Sequence, residues 1–219
     1  MTKIIALIAA AGVGLRFGEP NLPKQYQLID GKSVLARTIE KFVSHPEITA
    51  VKVIIAQDHN SLYCDAIKNL NNGEKKILPS SFGGEERTAS ILSGLKDLQI
   101  YGPDIVLIHD GCRPFVGYEL ITNIIEATKI HGAAIPVLDS IDTLKEVENG
   151  FVKKTITRSK VFSAQTPQGF MYKELLELYM QNQVTLTDDA LIYENSGKPV
   201  FAVRGEGENI KITTKKDLK

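Results

Sequence analysis

The sequence predicts an α/β fold in which a mostly parallel sheet is covered by helices on both faces, in three α/β/α layers. Short apolar runs alternate with amphipathic stretches along the 219 residues, and this alternation is typical of such sheets. Several glycine-rich or charged segments directly follow the apolar runs. Ligands of this fold class bind beyond the carboxyl ends of the strands, so we expect the functional residues there. The length fits one domain, residues 1–219.

Six strands and six helices are predicted along the chain. The strands are Ile4–Ala9, Val51–Ala56, Lys76–Pro79, Ile105–His109, Ala133–Leu138 and Val200–Arg204. The helices are Val34–Val43, His59–Leu70, Arg87–Leu98, Glu119–His131, Lys173–Gln181 and Asp188–Asn195. Ser33 can cap the first helix and Thr187 the last, because both hydroxyls can accept a first-turn N–H. Gly197 is expected to end the last helix.

One segment interrupts this alternation. Residues 143–157 contain Asn149-Gly150 between two strand-like runs, which is a strong signal for a hairpin with a two-residue turn. The runs hold too few apolar side chains for a core, and an isolated hairpin is marginally stable in water. We therefore predict a β-hairpin arm, residues 139–158, that projects from the domain and packs on a second subunit. An arm folded back on its own domain is the alternative.

The composition excludes several function classes. The 26 basic and 26 acidic residues balance, so a basic nucleic-acid footprint is not indicated. The two cysteines and four histidines show neither a disulfide framework nor metal-ligand spacing. No apolar run approaches a membrane span, and the start lacks the apolar region of a signal peptide. We expect a cytoplasmic protein that binds neither nucleic acid nor membrane.

The segment after the first strand is a candidate phosphate-binding loop. Residues 9–16 read Ala-Ala-Ala-Gly-Val-Gly-Leu-Arg, and residues 23–25 read Pro-Lys-Gln. Small residues allow backbone amides to approach phosphate closely, and Arg16 and Lys24 can reach the same polyphosphate. A Rossmann fingerprint would need glycine where Phe17 stands, and the Gly-Lys-Ser/Thr of a P-loop is absent.

Two later segments also follow strands. Gly83-Gly84 precedes a helix with Arg87 and Ser90, which we interpret as the floor under a base or ribose; a simple helix start, with acidic residues favouring the helix dipole, is the alternative. Asp110 directly follows an apolar strand, where an acid often holds Mg²⁺ or a sugar hydroxyl.

Other polar residues carry weaker signals. We interpret His109 as a packed, hydrogen-bonded residue, and we assign Cys112 no nucleophilic role because no partner is identifiable. Arg158, at the base of the arm, can enter a neighbouring active site. Lys211 alone reads as an exposed edge lysine.

Taken in order, these segments resemble one family over essentially the whole chain. The motifs are Ala-Ala-Gly-x-Gly-x-Arg with Pro-Lys-Gln-Tyr, Gly-Gly-x-x-Arg-x-x-Ser, His-Asp-x-x-Arg-Pro, Asp-Thr before the arm, Thr-Pro-Gln, Thr-Asp-x-Ala and Asn-Ile-Lys-Ile-Thr. The chain resembles the cytidylyltransferases that make 4-diphosphocytidyl-2-C-methyl-D-erythritol in non-mevalonate isoprenoid synthesis. The resemblance implies a Rossmann-like nucleotidyltransferase fold with a dimerisation arm, a homodimer, and transfer of CMP from CTP to 2-C-methyl-D-erythritol 4-phosphate with release of pyrophosphate. Mg²⁺, or another divalent cation, is the implied cofactor.

The resemblance also implies roles for individual residues. The implied catalytic residues are Arg16, Lys24 and Lys211. The implied CTP-binding residues are Ala10, Ala11, Gly12, Gly14, Gly84, Glu85, Arg87 and Ser90. The alditol phosphate would be bound by Asp110, Gly111, Arg113, Thr143, Arg158, Thr166 and Thr187. Arg158 would come from the partner subunit, and Asp110 is the candidate metal ligand, although Mg²⁺ would be held largely by the CTP phosphates.

The sequence departs from the family pattern in three places. Gly111-Cys112 stands where Ala-Ala is usual, Glu85 stands where Asp is more usual, and the chain stops soon after Leu218, where relatives usually carry a further helix. The first two departures preserve backbone approach and charge, so they affect the substrate assignment more than the activity. The third fits a naturally short chain or a portion of a bifunctional protein.

Three alternatives stay open. A ribitol 5-phosphate cytidylyltransferase shares most of these motifs and would differ around Asp110–Arg113 and at Thr143. A dinucleotide-binding oxidoreductase is opposed by Phe17 at the third glycine position. A non-catalytic nucleotide sensor is opposed by the presence of Arg16, Lys24 and Asp110 together.

Overall fold

The computed structural model describes residues 2–12, 17–18, 22–68, 70, 74–182 and 185–218. The strands are β1 (Ile4–Ala10), β2 (Leu28–Ile29), β3 (Lys32–Ser33), β4 (Ala50–Ile55), β5 (Ser81–Phe82), β6 (Ile105–Asp110), β7 (Ala133–Asp139), β8 (Lys145–Glu148), β9 (Phe151–Thr155), β10 (Phe162–Ala164), β11 (Gln168–Met171) and β12 (Phe201–Arg204). The α-helices are α1 (Val34–Val43), α2 (Asn60–Ile67), α3 (Arg87–Asp97), α4 (Tyr118–His131), α5 (Tyr172–Gln181) and α6 (Ala190–Asn195).

Within these ranges the main sheet has eight strands. Its order is β10-β7-β11-β6-β1-β4-β5, and β12 pairs with β7. Strands β6, β1, β4 and β5 run parallel to one another. In contrast, β10 is antiparallel to β7, and β11 is antiparallel to both β6 and β7. The predicted α/β class is confirmed, with a mixed sheet whose parallel half carries the glycine-rich segments at its carboxyl edge.

The alternation of side chains along β1 explains the layers. Ile4, Ala6 and Ile8 pack on one face against α1 and α4, and Ile5 and Leu7 pack on the other face against α3, α5 and α6. Successive residues of a strand point to opposite faces. A strand that is apolar at every position is therefore buried on both sides, as expected for β1 in the interior of the sheet between β6 and β4.

The prediction of a strand at Lys76–Pro79 was wrong. Ile77 forms only an isolated bridge with Val51, and the pairing with β4 is found at Ser81–Phe82. Pro79 has no N–H for a ladder, and its carbonyl accepts a hydrogen bond from the buried Lys52 Nζ at 2.7 Å. The chain therefore passes the strand edge there and pairs again two residues later.

Strand β11 was not predicted, because Pro167 and Gly169 read as strand breakers. Its first residue follows a cis Thr166–Pro167 peptide bond. A Cβ at Gly169 would lie 2.2 Å from Thr128 Oγ1, so this glycine is required by the close approach of α4. The glycine that weakens the sequence signal thus permits the packing.

The helix caps were partly predicted. Ser33 Oγ accepts the Ala36 N–H at 3.1 Å, as expected. At α6 the prediction was wrong, because Asp188 Oδ1, rather than Thr187, accepts a first-turn N–H, that of Leu191, at 3.2 Å. Gly197 follows α6 with φ of 72°, as a helix-ending glycine should.

The predicted hairpin is confirmed as β8 and β9. Asn149 and Gly150 have φ of 51° and 83°, the positive values that a tight hairpin turn requires. Every residue of the two strands is exposed. In the part of the chain that the structure describes, no helix is long and apolar enough to cross a bilayer.

Candidate active site

A cavity of about 220 Å³ opens at the carboxyl ends of β1 and β6. Its walls come from the segments after β1, before and within α3, and after β6, together with Lys24 from a short helical turn and Lys211 from a loop. The lining residues are Ala9, Ala10, Ala11, Gly12, Lys24, Gln25, Ile54, Gly84, Glu85, Glu86, Arg87, Ser90, Asp110, Gly111, Cys112 and Lys211. Eleven of the residues assigned from the sequence are in this set; Ile54, Gln25 and Cys112 are among the additions.

Close packing explains the glycines of the cavity wall. A Cβ at Gly83 would lie 2.4 Å from the Cβ of Ala11, and one at Gly111 would lie 3.0 Å from the Cβ of Ala10. The loops after β1, β5 and β6 therefore pack closely against one another. The N–H groups of Gly83, Gly84 and Gly111 are already bound, to the Ile55 carbonyl, Ser90 Oγ and the Ala9 carbonyl, so the wall offers small residues that a ligand can approach closely.

Ser90 organises the loop before α3. Its Oγ accepts the Gly84 N–H at 3.1 Å and donates to the Glu86 carbonyl at 2.9 Å. The hydroxyl predicted to face the nucleotide thus also fixes the loop that would hold it.

Gln25 joins the loop after β1 to the short helical turn that carries Lys24. Its side-chain amide donates to the carbonyls of Ala10 and Gly12 at 2.8 and 2.9 Å. Because Gln25 is buried and Lys24 is only half-buried, the glutamine anchors the turn and leaves the lysine at the cavity wall. The Pro-Lys-Gln motif was noticed in the sequence, but this role of Gln25 was not.

Asp110 is the charged centre of the cavity. Its Oδ2 lies 2.8 Å from Lys211 Nζ and 3.4 Å from Arg113 Nε. Burial alone would raise the pKa of this carboxyl, but Lys211, Arg87 and Arg113 together hold its pKa well below the ordinary value. Asp110 is therefore an ionised carboxylate that organises cations.

His109 is wholly buried, as expected for a packed histidine. Nε2 lies 3.1 Å from the Arg113 carbonyl, and Nδ1 lies 2.9 Å from Thr166 Oγ1. Burial lowers the pKa of the imidazole to about 4. Cys112 is also buried, and burial raises the pKa of its thiol, so neither side chain is poised as a nucleophile or base.

Arg87 lines the cavity, but its guanidinium is engaged. The two terminal nitrogens donate to Asp189 Oδ1 and Oδ2 at 3.0 and 2.5 Å. Asp189 is completely buried and also accepts from the Tyr179 hydroxyl at 2.5 Å, and Gln168 Oε1 accepts the Asp189 N–H at 3.1 Å. This pair was not predicted from the sequence, because Thr187-Asp188-Asp189 was interpreted as a helix cap.

The segment with Lys211 is held by its neighbours on both sides. The Asn209 carbonyl accepts from Arg113 Nη1 at 2.7 Å, and its side-chain amide donates to the Thr166 carbonyl at 2.8 Å. On the other side, the Ile212 N–H donates to the Cys112 carbonyl at 2.8 Å. Lys211 therefore stands between two buried anchors, and its reading as a free edge lysine is replaced by an ion pair with Asp110.

Several predicted site residues lie elsewhere. Thr143, Arg158 and Thr187 are exposed and do not line the cavity, and Arg158 Nη1 donates to the Ile141 carbonyl at 2.8 Å. Thr166 is buried behind Asp110. Arg16 and Gly14 lie outside the described residues, so their assigned roles stay predictions.

The donor set was compared with what Mg²⁺ requires. Among the described residues, no group of three or more His, Cys, Asp or Glu side chains is placed to hold a metal. Asp110 is one carboxylate at the end of β6, and Mg²⁺ at nucleotide sites is usually held by one or two carboxylates, substrate phosphates and water. The residues fit a cation that arrives with a nucleotide, and they do not form an all-protein cage.

Comparison with known proteins gives consistent matches. The family model for 2-C-methyl-D-erythritol 4-phosphate cytidylyltransferase (IspD) matches residues 4–219. A bifunctional IspD/IspF enzyme of Paramagnetospirillum magneticum is 43% identical over 100% of this chain and 56% of its own length. The corresponding bifunctional enzyme of Wolbachia pipientis is 41% identical over 99% and 54%. This chain thus spans about half the length of the curated relatives it matches. The crystal structure of 4-diphosphocytidyl-2C-methyl-D-erythritol synthase from Anaerococcus prevotii is similar with a TM-score of 0.84 and 31% identity, over 99% of this chain and 95% of that one.

Proposed function

Because this chain belongs to the 2-C-methyl-D-erythritol 4-phosphate cytidylyltransferase family, we propose that it transfers CMP from CTP to 2-C-methyl-D-erythritol 4-phosphate. The products are 4-diphosphocytidyl-2-C-methyl-D-erythritol and pyrophosphate. The observation that carries the proposal is the cavity itself: one wall of closely packed small residues faces Lys24 and the Asp110–Lys211 ion pair. The loops can bind the nucleotide, and the cations can bring two phosphates together.

The reaction is one displacement at phosphorus. An oxygen of the alditol phosphate forms a bond to the α-phosphorus of CTP, and the bond from this phosphorus to the bridging oxygen of the β-phosphate breaks. Pyrophosphate leaves with that electron pair. The attacking phosphate monoester has a second pKa of about 6, so it is mostly a dianion at neutral pH and needs no general base.

The histidine next to the cavity, His109, agrees with this chemistry, because it is fully buried and does not line the cavity. Both ring nitrogens of His109 are hydrogen-bonded, and burial lowers the pKa of the imidazole to about 4. Catalysis then rests on positioning two anions and stabilising the charge that develops between them.

Lys24 and Lys211 are the described cations that we propose for this task. Lys24 lies on the turn anchored by Gln25, and Lys211 is held at the cavity by its ion pair with Asp110. Arg16 would supply a third positive charge from the loop after β1. We assign Lys24 and Arg16 to the CTP phosphates and Lys211 to the incoming alditol phosphate.

We propose Mg²⁺ as the cofactor, with Asp110 as a protein ligand and the CTP phosphates as the main ligands. A bound divalent cation neutralises phosphate charge during the displacement. The pairing of Asp110 with Lys211 and Arg113 leaves its second carboxylate oxygen as the atom available to a cation.

The family match favours 2-C-methyl-D-erythritol 4-phosphate over ribitol 5-phosphate as the acceptor. Gly111 lies close to Ala10, whose Cβ would be 3.0 Å from a Cβ added at Gly111, and the Cys112 side chain is buried. The Gly111-Cys112 departure from the family pattern is therefore compatible with this acceptor.

We propose further that the active form is a homodimer joined through the arm. Phe151 and Val152 in β9 are 76% and 61% exposed, and Ile141 at the base of the arm is 88% exposed. Apolar side chains in a two-stranded ribbon are stabilised by packing on another surface. A second copy would cover these apolar side chains. Arg158 and Thr143 of each chain would then lie towards the alditol phosphate in the cavity of the other chain. The cytoplasmic location stays a prediction.

The direct test is a pyrophosphate-release assay with CTP, Mg²⁺ and either 2-C-methyl-D-erythritol 4-phosphate or ribitol 5-phosphate. We expect turnover with the first acceptor and at most weak turnover with the second. Replacing CTP with ATP, GTP or UTP tests the base selection. Absence of CTP-dependent pyrophosphate release with every acceptor would contradict the proposed function.

A further inference from the structure

Thr166 stands where the main-chain ladder between β6 and β11 stops. The two strands run antiparallel, with Gln168 opposite Ile108 and Phe170 opposite Val106. Continued by two residues, this register places Thr166 opposite Asp110. There the Thr166 hydroxyl accepts the Asp110 N–H at 3.1 Å. The Thr166 carbonyl accepts from Asn209 Nδ2 instead.

The Arg113 carbonyl can only accept a hydrogen bond, and this fixes the direction of the neighbouring hydrogen bonds. The Arg113 carbonyl lies 3.1 Å from His109 Nε2, so this ring nitrogen must carry the proton. Nδ1 of the neutral ring is then an acceptor, and it accepts a hydrogen bond from Thr166 Oγ1 at 2.9 Å. The relay runs from the Asp110 N–H to Thr166, from Thr166 to His109, and from His109 to the Arg113 carbonyl.

The relay leaves Thr166 without a proton to give. A hydroxyl has one hydrogen, and in Thr166 that hydrogen is directed at His109 Nδ1. Phosphate oxygens need donors, and the side chain is 6% exposed. Donation from Thr166 to a substrate oxygen would require breaking this buried bond, whereas the second lone pair of Oγ1 can still accept from a hydroxyl of the alditol phosphate that the resemblance assigns to it.

We infer that Thr166 and His109 are positioning residues, whose hydrogen-bond relay fixes the turn from Asp110 to Arg113. This turn carries the carboxylate that holds Lys211 and the guanidinium bound to the Asn209 carbonyl. The kinetic consequence rests on the proposed function, whereas the relay itself does not. Misplacement of reacting groups by about 1 Å can cost about 10²-fold in rate, so a relay behind the turn has a measurable effect on turnover.

The first experiment compares Thr166→Val with Thr166→Ser. Valine has a similar shape and lacks the hydroxyl, whereas serine keeps it. For Thr166→Val we expect kcat/KM for the alditol phosphate to fall by about 10-fold or more, the size of one lost buried hydrogen bond. Thr166→Ser should stay within about 3-fold of the wild type, and KM for CTP should change little in both. Wild-type kinetics in Thr166→Val would overturn the inference.

A double-mutant cycle separates positioning from direct contact. His109→Gln keeps a donor near the Nε2 position and removes the Nδ1 acceptor, whereas His109→Asn can keep an acceptor for Thr166. If the two residues act through one relay, the loss in Thr166→Val/His109→Gln should be close to that of Thr166→Val alone, because coupled sites are not additive. His109→Asn should be the milder histidine variant. If the loss in the double variant instead equals the product of the two single-variant losses, Thr166 makes a separate substrate contact, and the inference is contradicted.

A measurement without substrates tests the relay directly. Hydrogen exchange of the Asp110 amide should be slow in the wild type and in Thr166→Ser, and at least about 10-fold faster in Thr166→Val, because the amide loses its acceptor. The ring-nitrogen NMR spectrum should show His109 as the Nε2–H tautomer. Unchanged exchange in a folded Thr166→Val protein, judged by its thermal midpoint, would refute the relay. Absence of wild-type turnover would instead refute the proposed function and leave the exchange result to decide the relay.

Discussion

The Lys211 ammonium lies 2.8 Å from Asp110 Oδ2, and both residues line the candidate active site. Lys211 comes from a loop near the end of the chain, and Asp110 ends the central strand β6. Among the charged groups that lower the pKa of Asp110, Lys211 makes the largest contribution. The pair therefore sets both the position of the cation and the ionisation of the carboxylate.

Lys211→Met is expected to raise the pKa of Asp110 and to lower turnover by about 10²-fold, a typical loss for one charge-stabilising group. Because the folded pKa of Asp110 is depressed, its ionisation stabilises the fold above the ordinary value of 3.8, and this contribution is lost as the pH falls through the folded value. In Lys211→Met the folded pKa of Asp110 should lie closer to 3.8, so this contribution should be smaller and should be fully lost at a higher pH. Acid unfolding and initial rates provide the measurements, with the exposed Lys216→Met as control. Equal acid midpoints in the two variants would contradict the pairing.

Lys24→Ala is expected to lower kcat by at least about 10²-fold, because Lys24 is a half-buried cation at the cavity wall with a turn anchored behind it. Arg16→Ala should have a loss of similar size if the loop after β1 holds the same triphosphate. The thermal midpoint of Lys24→Ala should stay near that of the wild type, since Lys24 lies at the cavity wall and this substitution does not open the core. Steady-state kinetics with varied CTP test both variants, and near-normal kcat in both would remove the basis of the assignment.

Arg87 is expected to act mainly through stability. Removing one member of a buried ion pair costs about 3–5 kcal/mol, and Asp189 would be left wholly buried in Arg87→Ala. For a domain of this size the thermal midpoint should fall by roughly 6–20 °C. The control is Lys68→Ala, which breaks an exposed pair with Asp65 and should shift the midpoint by less than about 2 °C. Loss of CTP affinity without loss of stability would instead support direct nucleotide binding by Arg87.

His109 is expected to make stability depend on pH between about 4 and 6.5. Burial lowers the pKa of His109 from 6.5 to about 4, so in this window the unfolded chain takes up a proton that the folded chain does not. Stability is therefore lost as the pH falls from 6.5 towards 4, by about 3 kcal/mol for this group. Urea unfolding of the wild type and of His109→Gln at pH 7 and near pH 4.5 measures it. The same pH slope in both proteins would exclude His109 as the cause.

Much of the fold could be predicted because its signals are local. The run Ile4–Ala9 is apolar at every position, which is typical of a central strand, and Asn149-Gly150 specifies its own turn through two positive φ values. The missing strand β11 shows the limit of such signals. Its Gly169 is required by Thr128 of α4, a partner 41 residues away in the sequence, and no local pattern can display that contact.

In the candidate site, too, local signals could be predicted from the sequence and long-range contacts could not. Residues placed directly after strands, such as Gly12 and Asp110, were found because the fold class brings the carboxyl ends of strands together. The partners of the site residues were not found. Asp189 pairs with Arg87 across 102 residues, and the Thr166 hydroxyl is directed at His109 across 57. The sequence shows which side chains are available, whereas the fold decides which of them are already bound.

Arg158 provides a test of the homodimer that needs no dimer structure. It lies at the base of the arm, away from the cavity of its own chain, so we expect it to complete the site of the partner subunit. Arg158→Ala and Lys24→Ala homodimers should both be nearly inactive. In a heterodimer of the two, one site combines an intact Lys24 with an intact Arg158, whereas the other site lacks both. Equal co-refolding of the two variants should therefore restore about a quarter of the wild-type activity per chain.

The matched control for this experiment is co-refolding of Lys24→Ala with Lys24→Ala/Arg158→Ala, in which every site lacks Lys24 and no activity should return. Arg158 acts in trans only if the first mixture regains activity and the control does not. Analytical ultracentrifugation of an arm deletion, residues 143–157, completes the test, because the deletion should shift the protein from dimer to monomer. An active monomer, or no recovery in a mixture shown to contain heterodimers, would refute the shared site.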